Sequence, residues 1–600
     1  MPQRSDIASV PTGAYKFIPA LDSLRRYSWQ DGRSDLLAGL TVATVAVPQA
    51  MAYGLVAGLP AEYGLYTAIV MTAVGALFDS SRQLINGPTN ATSIALLSVI
   101  ASVAPESKIE AAMLVAFMVG VVQLAITAAR LGDLTRYVSH SVIVGFTLGA
   151  GSLIVLDQMK NLLGKKAMGG VHDHFLSRFW QTMTEGGAIH ADTLWVGLGT
   201  MAAVLLLRWF KNKIGWRFLP ELLIVVVGAA WLSWSFGLEA RGVKIIGDIP
   251  AKLPSFQWPN FDAAMMRDFA TGSLAIAMLG LLEALSMAKA IAAVTRQKLD
   301  MNQQCLSEGL ANFTGSFFQC IPGSGSLTRS AINQQAGAAS QWSGVISAIA
   351  VAVIMLAFAP YARFIPKAVL AGILFLSAWK MVDWHALRYH VRATRFDAAI
   401  VAVTAFSAVG ISIEFCVLIG IFMSFMLAVP RAGRMRLSEF VVTRDGAIHE
   451  RLPEDEPCSK ILLFGLEGEL FFGSTAALDK HFEYIESLIG PDTEVLLLRM
   501  KRARNPDAVA LNLLESFLDR VRARGVKVVM CGVSPHLHDV MQRTGFADRL
   551  GEKELFLEQP VRLTSTIQAV RHAYELISEP CPTCPRRETP IGETPLYFVP

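Results

Sequence analysis

Charge is scarce in this sequence. Asp, Glu, Lys and Arg make up 17% of its 600 residues, where a soluble chain carries about a quarter. That shortage excludes a single soluble globule. The 53% hydrophobic content excludes a disordered chain, which would be polar. Cysteine is also sparse, at seven residues, which excludes a secreted disulfide scaffold. The net charge of +4 is too small to suggest a nucleic-acid partner. No nucleotide-binding loop, metal-ligand cluster or nucleophile–base constellation is legible, so neither an enzyme nor a cofactor is expected.

What the sequence does have is apolar runs, all before residue 430. A bilayer core about 30 Å thick takes roughly 20 apolar residues as helix. Fourteen candidate segments lie near 36–55, 60–78, 88–103, 110–129, 138–157, 192–209, 218–236, 271–294, 304–320, 326–336, 341–359, 366–382, 396–412 and 414–429. Two of them, 88–103 and 326–336, are too short or too polar to span alone. No signal peptide precedes the first span. Residues 1–34 read as a cytoplasmic segment, where Phe17, Ile18, Leu21 and Leu24 have the spacing of a short interfacial helix; an unstructured tail is the alternative.

Basic residues set the orientation. Arg25, Arg26 and Arg33 precede the first span. Arg208, Lys211, Lys213 and Arg217 follow the sixth, Arg296 and Lys298 the eighth. Lys380, Arg388, Arg392 and Arg395 follow the twelfth, and Arg431, Arg434 and Arg436 the last. With fourteen crossings these share one side, which puts both termini in the cytoplasm of a multi-pass inner (plasma) membrane protein.

Beyond Arg436 the pattern is that of a small soluble α/β domain over 437–577. Lys460–Gly473 reads as two strands and a turn, and Thr475–Leu488 as a helix. Glu494–Met500 is a buried strand, Leu511–Arg524 an amphipathic helix, and Val526–Cys531 a strand. Residues 578–600, with Cys581 and Cys584, read as a flexible Pro-rich tail. A half zinc site is the alternative there.

Two interruptions stand out in the membrane part, 35–430. Gly87-Pro-Thr-Asn-Ala-Thr-Ser93 opens the third segment and Pro322-Gly-Ser-Gly-Ser-Leu-Thr-Arg-Ser330 the tenth. Irregular backbone at bilayer depth survives only where protein or a cavity satisfies it. Interrupted segments in corresponding places of two halves are the best sequence pointer to a transporter site. Seven spans per half is odd, so the second copy is inverted. Two half-helix N-termini then face each other, each with about half a positive charge and unpaired N–H groups. Hydroxyls and the Asn90 amide add donors, and Arg329 adds a full charge. The expected ligand is an anion. Arg329 snorkelling, or pairing with a carboxylate as a structural strut, is the alternative.

Glu283 lies mid-span in the eighth segment. Desolvation there favours its protonated form, as a coupling site for protons requires; merely neutralising Arg329 is the other reading. In the first span, Pro48 frees a carbonyl. Gln49 and Tyr53 share one face, either lining the site or packed.

Pro48-Gln-Ala-Met-Ala-Tyr-Gly-Leu-Val-Ala-Gly-Leu-Pro-Ala-Glu-Tyr-Gly-Leu-Tyr66 closely resembles the signature of the SulP anion permeases, bacterial relatives of the animal solute carrier 26 exchangers. Asn312-Phe-Thr-Gly-Ser-Phe-Phe-Gln and Gly325-Ser-Leu-Thr-Arg-Ser-Ala-Ile-Asn333 are similar to the same family's ninth and tenth spans. The resemblance implies an α-helical membrane protein of 14 transmembrane segments in two inverted 7-helix repeats. These form a core (spans 1–4 and 8–11) and a gate (5–7 and 12–14). Elevator-type transport and a C-terminal cytoplasmic α/β STAS domain are also implied. It places Gln49, Tyr53, Thr89, Asn90, Ala91, Thr328, Arg329 and the adjoining Ser330 at the anion site, and Glu283 at a coupling position. Met287 stands where a sodium-coupled relative would offer a hydroxyl, and a thioether is a poor sodium ligand.

In the STAS stretch Asn505-Pro-Asp-Ala-Val-Ala510, Asp507 is kept. Ala508 and Val509 replace the phosphorylatable hydroxyl. That points to dimer packing, trafficking or a cytosolic partner. The expectation is a secondary active transporter of a small inorganic or carboxylate anion: sulfate by family default, with bicarbonate or a dicarboxylate as alternatives. It would work by proton-coupled symport or exchange, as a homodimer in lipid. An anion channel and an anion sensor signalling through the STAS domain are the competing functions. Nucleobase permeases share the fold, but they lack the STAS domain and commonly carry acidic residues where Arg329 stands.

Overall fold

Ser28 and Asp31 decide where the first long helix begins. The Ser28 hydroxyl accepts from the Asp31 amide, and the Asp31 carboxylate accepts from the Ser28 amide at 2.9 Å. This reciprocal cap starts the helix at Trp29, earlier than the apolar run at 36 suggested. The computed structural model describes residues 18–25, 27–132, 139–170, 173–214, 220–443, 446–559, 564–579, 581 and 596–598, apart from the side chains of Asn212, Glu414 and Phe598. The expectations placed on Phe17, Arg26, Arg217 and Cys584 lie outside the described residues. The chain divides into two compact units, Met1–Ser424 and Phe425–Pro600.

In the first unit the elements run α1 (Pro19–Leu24), α2 (Trp29–Val56), α3 (Ala61–Phe78), β1 (Asn86–Gly87), α4 (Asn90–Val99), α5 (Lys108–Ala128), α6 (His140–Leu163), α7 (Phe175–Glu185), α8 (Ala191–Ile214) and α9 (Glu221–Ser235). They continue with α10 (Ala263–Thr295), α11 (Met301–Ser316), β2 (Ser324–Gly325), α12 (Leu327–Gln335), α13 (Trp342–Ala362), α14 (Lys367–Met381), α15 (Trp384–Ala393), α16 (Arg395–Gly410) and α17 (Ile413–Ala432), which carries the division between the units. A helix lies at each of the fourteen apolar segments. Among the described residues, eight helices are long and apolar enough to cross a membrane. Helix α10 starts at Ala263, well before the expected 271, because Asp262 caps it by accepting from the Ala264 amide at 2.8 Å. Helices α7 and α15 were not expected. Both are amphipathic surface helices, and they lack the apolar run on which the fourteen segments were found.

The two interruptions end in short helices, as their Gly/Pro content suggested. Thr89 caps α4 and Ser326 caps α12. Just before these caps, β1 and β2 pair antiparallel, Asn86 opposite Gly325 and Gly87 opposite Ser324. Helices α5 and α11 approach closely at Gly120, where a Cβ would lie 2.5 Å from the Phe313 nitrogen. Small residues at such crossings are what lets membrane helices pack.

The second unit holds β3 (Arg436–Val442), β4 (Ala447–Glu450), β5 (Ile461–Glu469), α18 (Thr475–Leu488), β6 (Val495–Arg504), α19 (Ala508–Ala523), β7 (Lys527–Val533), α20 (Pro535–Arg543), α21 (Phe546–Leu550), β8 (Leu555–Leu557), α22 (Thr564–Leu576) and β9 (Tyr597–Phe598). The sheet order is β8-β7-β6-β5-β3-β4-β9, parallel from β5 to β8. One face packs on α18 and α19, where Phe482 and Phe517 stack at 4.1 Å. The other packs on α22 through Ala569, Val570 and Ala573.

Lys460–Gly473 is not two strands and a turn. It forms one strand, β5, with a register shift between Gly465 and Glu467. Its antiparallel partner is β3, from a segment the sequence reading left unassigned. The described part of the tail is packed. Cys581 and Leu596 are buried, and Tyr597–Phe598 pairs parallel with β4. Glu494 accepts from the Ser578 amide at 2.7 Å and hydroxyl at 2.8 Å, and Lys460 and these two donors hold its carboxyl down to about 2.

Asp507 caps α19. Its Oδ1 accepts from the Ala510 amide at 2.8 Å and its Oδ2 from the Phe472 amide at 2.6 Å. Asp507→Ala is expected to cost about 1 kcal/mol of local stability. Hydrogen exchange in the full chain should show faster exchange at the Ala510 and Phe472 amides, with Asp507→Asn in between.

Candidate functional site

The antiparallel contact of β1 with β2 brings the N-terminal ends of α4 and α12 into one neighbourhood. Unpaired helical N–H groups and the macrodipole make each end electropositive. Into this neighbourhood comes Arg329 from the first turn of α12, 1% exposed. Its Nη2 donates to the Pro88 carbonyl at 2.9 Å, a bond that ties one interruption to the other. Its Nε has no partner, and no ion pair of Arg329 occurs among the described residues. The strut reading, with a carboxylate in contact, is therefore not what the geometry contains.

Glu283 reaches the same place from α10. Its Oε2 accepts from the Thr89 hydroxyl at 3.0 Å and the Ser324 hydroxyl at 2.7 Å. The carboxyl thus bridges the cap of α4 and strand β2, without pairing with Arg329. Beside it a small apolar cleft, lined by Ile143, Phe146, Met287, Leu327, Met381 and Val417, reaches Glu283.

Gln49 and Tyr53 are buried on α2, each 4% exposed. The Tyr53 hydroxyl interacts with Ser377 and lies within electrostatic range of Arg329 and Glu283. Gln49 Oε1 has no partner. Asn90 and Ala91 are buried in the first turn of α4, and Asn90 Oδ1 is likewise unpartnered. Thr328 is half-buried. Ser330 is placed differently from the rest. Its hydroxyl accepts from the Ile85 amide at 2.8 Å, so it holds the chain entering β1 and its oxygen is already occupied.

Two further residues belong here. Ser93, one turn into α4, is fully buried with an unpartnered hydroxyl. Ser377 on α14 accepts from Asn90 Nδ2, the side-chain amide, at 3.3 Å. Ser93 stood inside the first interruption and its hydroxyl was the signal. Ser377 sits in an apolar run, where a lone serine usually bonds its own helix, so no local pattern marked it. Met287 packs with Leu84, Ala284 and Ile291.

The sequence pattern of the sulfate permease family matches residues 33–404, and that of the STAS domain matches residues 453–561. Sulfate transporter 4.1, chloroplastic, of Arabidopsis thaliana is 27% identical over 563 residues, 90% of this chain and 81% of its own. Bicarbonate transporter BicA of a Picosynechococcus species is 28% identical over 458 residues, 74% of this chain and 80% of its own. The murine Solute Carrier 26 family member A9 anion transporter, in the inward-facing state, has a TM-score of 0.84 at 20% identity, covering 96% of this chain and 97% of that one. At that identity the likeness is one of fold.

Proposed function

This chain belongs to the sulfate permease family, and from that premise we propose that it is a secondary active anion transporter of a multi-pass inner (plasma) membrane. The observation that carries the reading is Arg329: a buried guanidinium between two helix N-termini, with no carboxylate in ion-pair contact among the described residues. A buried charge left so is costly unless a counter-charge visits it. An anion supplies that charge. Relatives named for sulfate and for bicarbonate support a small oxyanion as substrate; sulfate is the substrate we propose.

In this reading Arg329 binds the anion electrostatically. The backbone amides at Asn90, Ala91 and Thr328 donate to it, and Thr89, Gln49 and Tyr53 wall the site. Ser330 positions β1. Glu283 carries a coupling proton, which it exchanges through the cleft beside Met287. Transport proceeds by an elevator motion of a core domain against a gate domain. The protein works as a homodimer, with both termini and the STAS domain in the cytoplasm.

The test is uptake by proteoliposomes of the full chain, with a panel of labelled anions under imposed pH and sodium gradients. Sulfate uptake driven by an inward proton gradient is expected, and sodium-driven uptake would overturn the coupling. Glu283→Gln is expected to make uptake insensitive to the proton gradient. An unchanged response across a pH series would remove Glu283 from the coupling role.

A further inference from the structure

A second acidic group lies behind the crossover. Glu308 stands on α11 with no exposed surface, and neither of its carboxyl oxygens has a hydrogen-bond partner. Its neighbour Asp79, at the C-terminal end of α3, is equally buried but fully served. Asp79 Oδ1 accepts from Gln304 Nε2 at 2.5 Å, from the Ser307 hydroxyl at 2.7 Å and from Asn86 Nδ2 at 3.1 Å. Gln304, Ser307 and Glu308 share one face of α11; the Ser307 hydroxyl and one N–H of Gln304 go to Asp79, and Gln304 is the one neutral donor beside Glu308.

The charged groups acting on Glu308 are Asp79 from the end of α3 and Glu283 from α10, both acids. Helix α5, packed against α11, presents Gln123, which is neutral. Asn86 Oδ1, an acceptor, and the Ser81 hydroxyl are also without partners. With two acids as the charges acting on Glu308, the cluster lacks positive charge. A metal cation is a poor candidate for that charge. At Gly75, a Cβ would already collide with the Asn86 amide. No group of three or more metal-ligating side chains occurs among the described residues. A proton needs no cavity.

We propose that Glu308 is a proton-binding site of this protein, separate from Glu283, filled while α11 is packed against Asp79. Two carboxylates in one dry cluster cannot both stay ionised, and Asp79 holds the donors that favour its charge. The proton leaves Glu308 as H+ to water when the cluster opens. One helical turn from Glu308, Asn312 accepts from the Gly323 amide at 3.0 Å and donates to the Gly323 carbonyl at 3.1 Å. Gly323 leads into β2, and Asn86 lies in β1. Charging Glu308 thus strains both strands of the crossover. That last step rests on reading the crossover as the anion site; the proton site itself does not.

The experiment is thermal melting of the full chain in detergent across pH 5 to 9, which needs no transport. Glu308 neutral in the fold and ionised when unfolded makes folding less favourable as pH rises. Glu308→Gln removes that dependence, so the wild-type melting temperature should fall by several degrees more than the variant's, about 4 °C over this range. Glu308→Met, also without a titratable group, should behave alike and covers the case in which Gln misfolds. Parallel curves for wild type and either folded variant would overturn the proposal. So would sodium raising the alkaline melting temperature of the wild type alone, since the occupant would then be a metal cation. Loss of sulfate uptake in every variant and the wild type would speak against the transport reading and leave this result standing.

Discussion

Arg329→Ala is expected to abolish measurable anion accumulation. The substitution removes the one full positive charge between the two helix ends and leaves the Pro88 carbonyl without its donor. Truncating one partner of a buried, hydrogen-bonded charge pair costs about 2–5 kcal/mol. Anion affinity should therefore fall by about 100-fold or more. Arg329→Lys keeps the charge but loses the planar fork, which spans both the Pro88 carbonyl and the site, and is expected to rescue only in part. Equilibrium binding of labelled sulfate to the purified full chain, followed by uptake in vesicles, measures both. Normal uptake by Arg329→Ala would show that the anion site lies elsewhere.

Gly87→Val is expected to disable the site without replacing any of its functional side chains. Gly87 has φ +144°, which strains any residue with a Cβ, and a Cβ there would meet Arg329 Nη1 at 2.8 Å and Nη2 at 3.0 Å. The guanidinium must move or β1 must leave β2. Backbone strain of this kind costs about 1–3 kcal/mol before the steric displacement is added. Uptake should fall to near the Arg329→Ala level, with a lowered melting temperature. Gly199→Ala is the contrast: its added methyl meets open space within a helix, where alanine is favoured over glycine by about 0.5–1 kcal/mol. That variant should transport normally. If Gly87→Val matched it, the crossover would not be the site.

The proposed anion site was legible because its parts are local. Gly87–Ser93 and Pro322–Ser330 each carry a break, a capping hydroxyl and the start of a helix within a few residues. Those are properties of adjacent amino acids. Arg329 and Glu283 could be singled out because so few charges lie in the apolar segments. What could not be read was which atoms each would meet. Glu283 and Arg329 read as candidate partners, but Glu283 takes its hydrogen bonds from Thr89 and Ser324, and Arg329 gives one to Pro88. Ser330, chosen with its neighbours, is spent on the Ile85 amide. Ser377, more than 280 residues from Asn90 in sequence, gave no local sign.

In the second unit the strand β5 was found but split in two. Periodicity cannot distinguish one long strand with a register shift from a hairpin until its partners are known. The packing of Cys581 and the pairing of Tyr597–Phe598 were missed because a Pro-rich composition says nothing about a two-residue strand pairing at a distance.

By itself the sequence determined the division into an apolar body and an α/β module, the helix in each apolar segment, the two capped breaks and the family. Each follows from composition or from residues within a few positions of one another. Only the tertiary structure decided how β1 meets β2 and that, among the described residues, Arg329 makes no ion pair with a carboxylate. It alone decided that the Ser307 hydroxyl and the Asn86 side-chain amide go to Asp79 and not to Glu308. Those outcomes depend on which atoms come within about 3 Å of each other across the fold, and helix periodicity sets which face a residue lies on without setting what faces it.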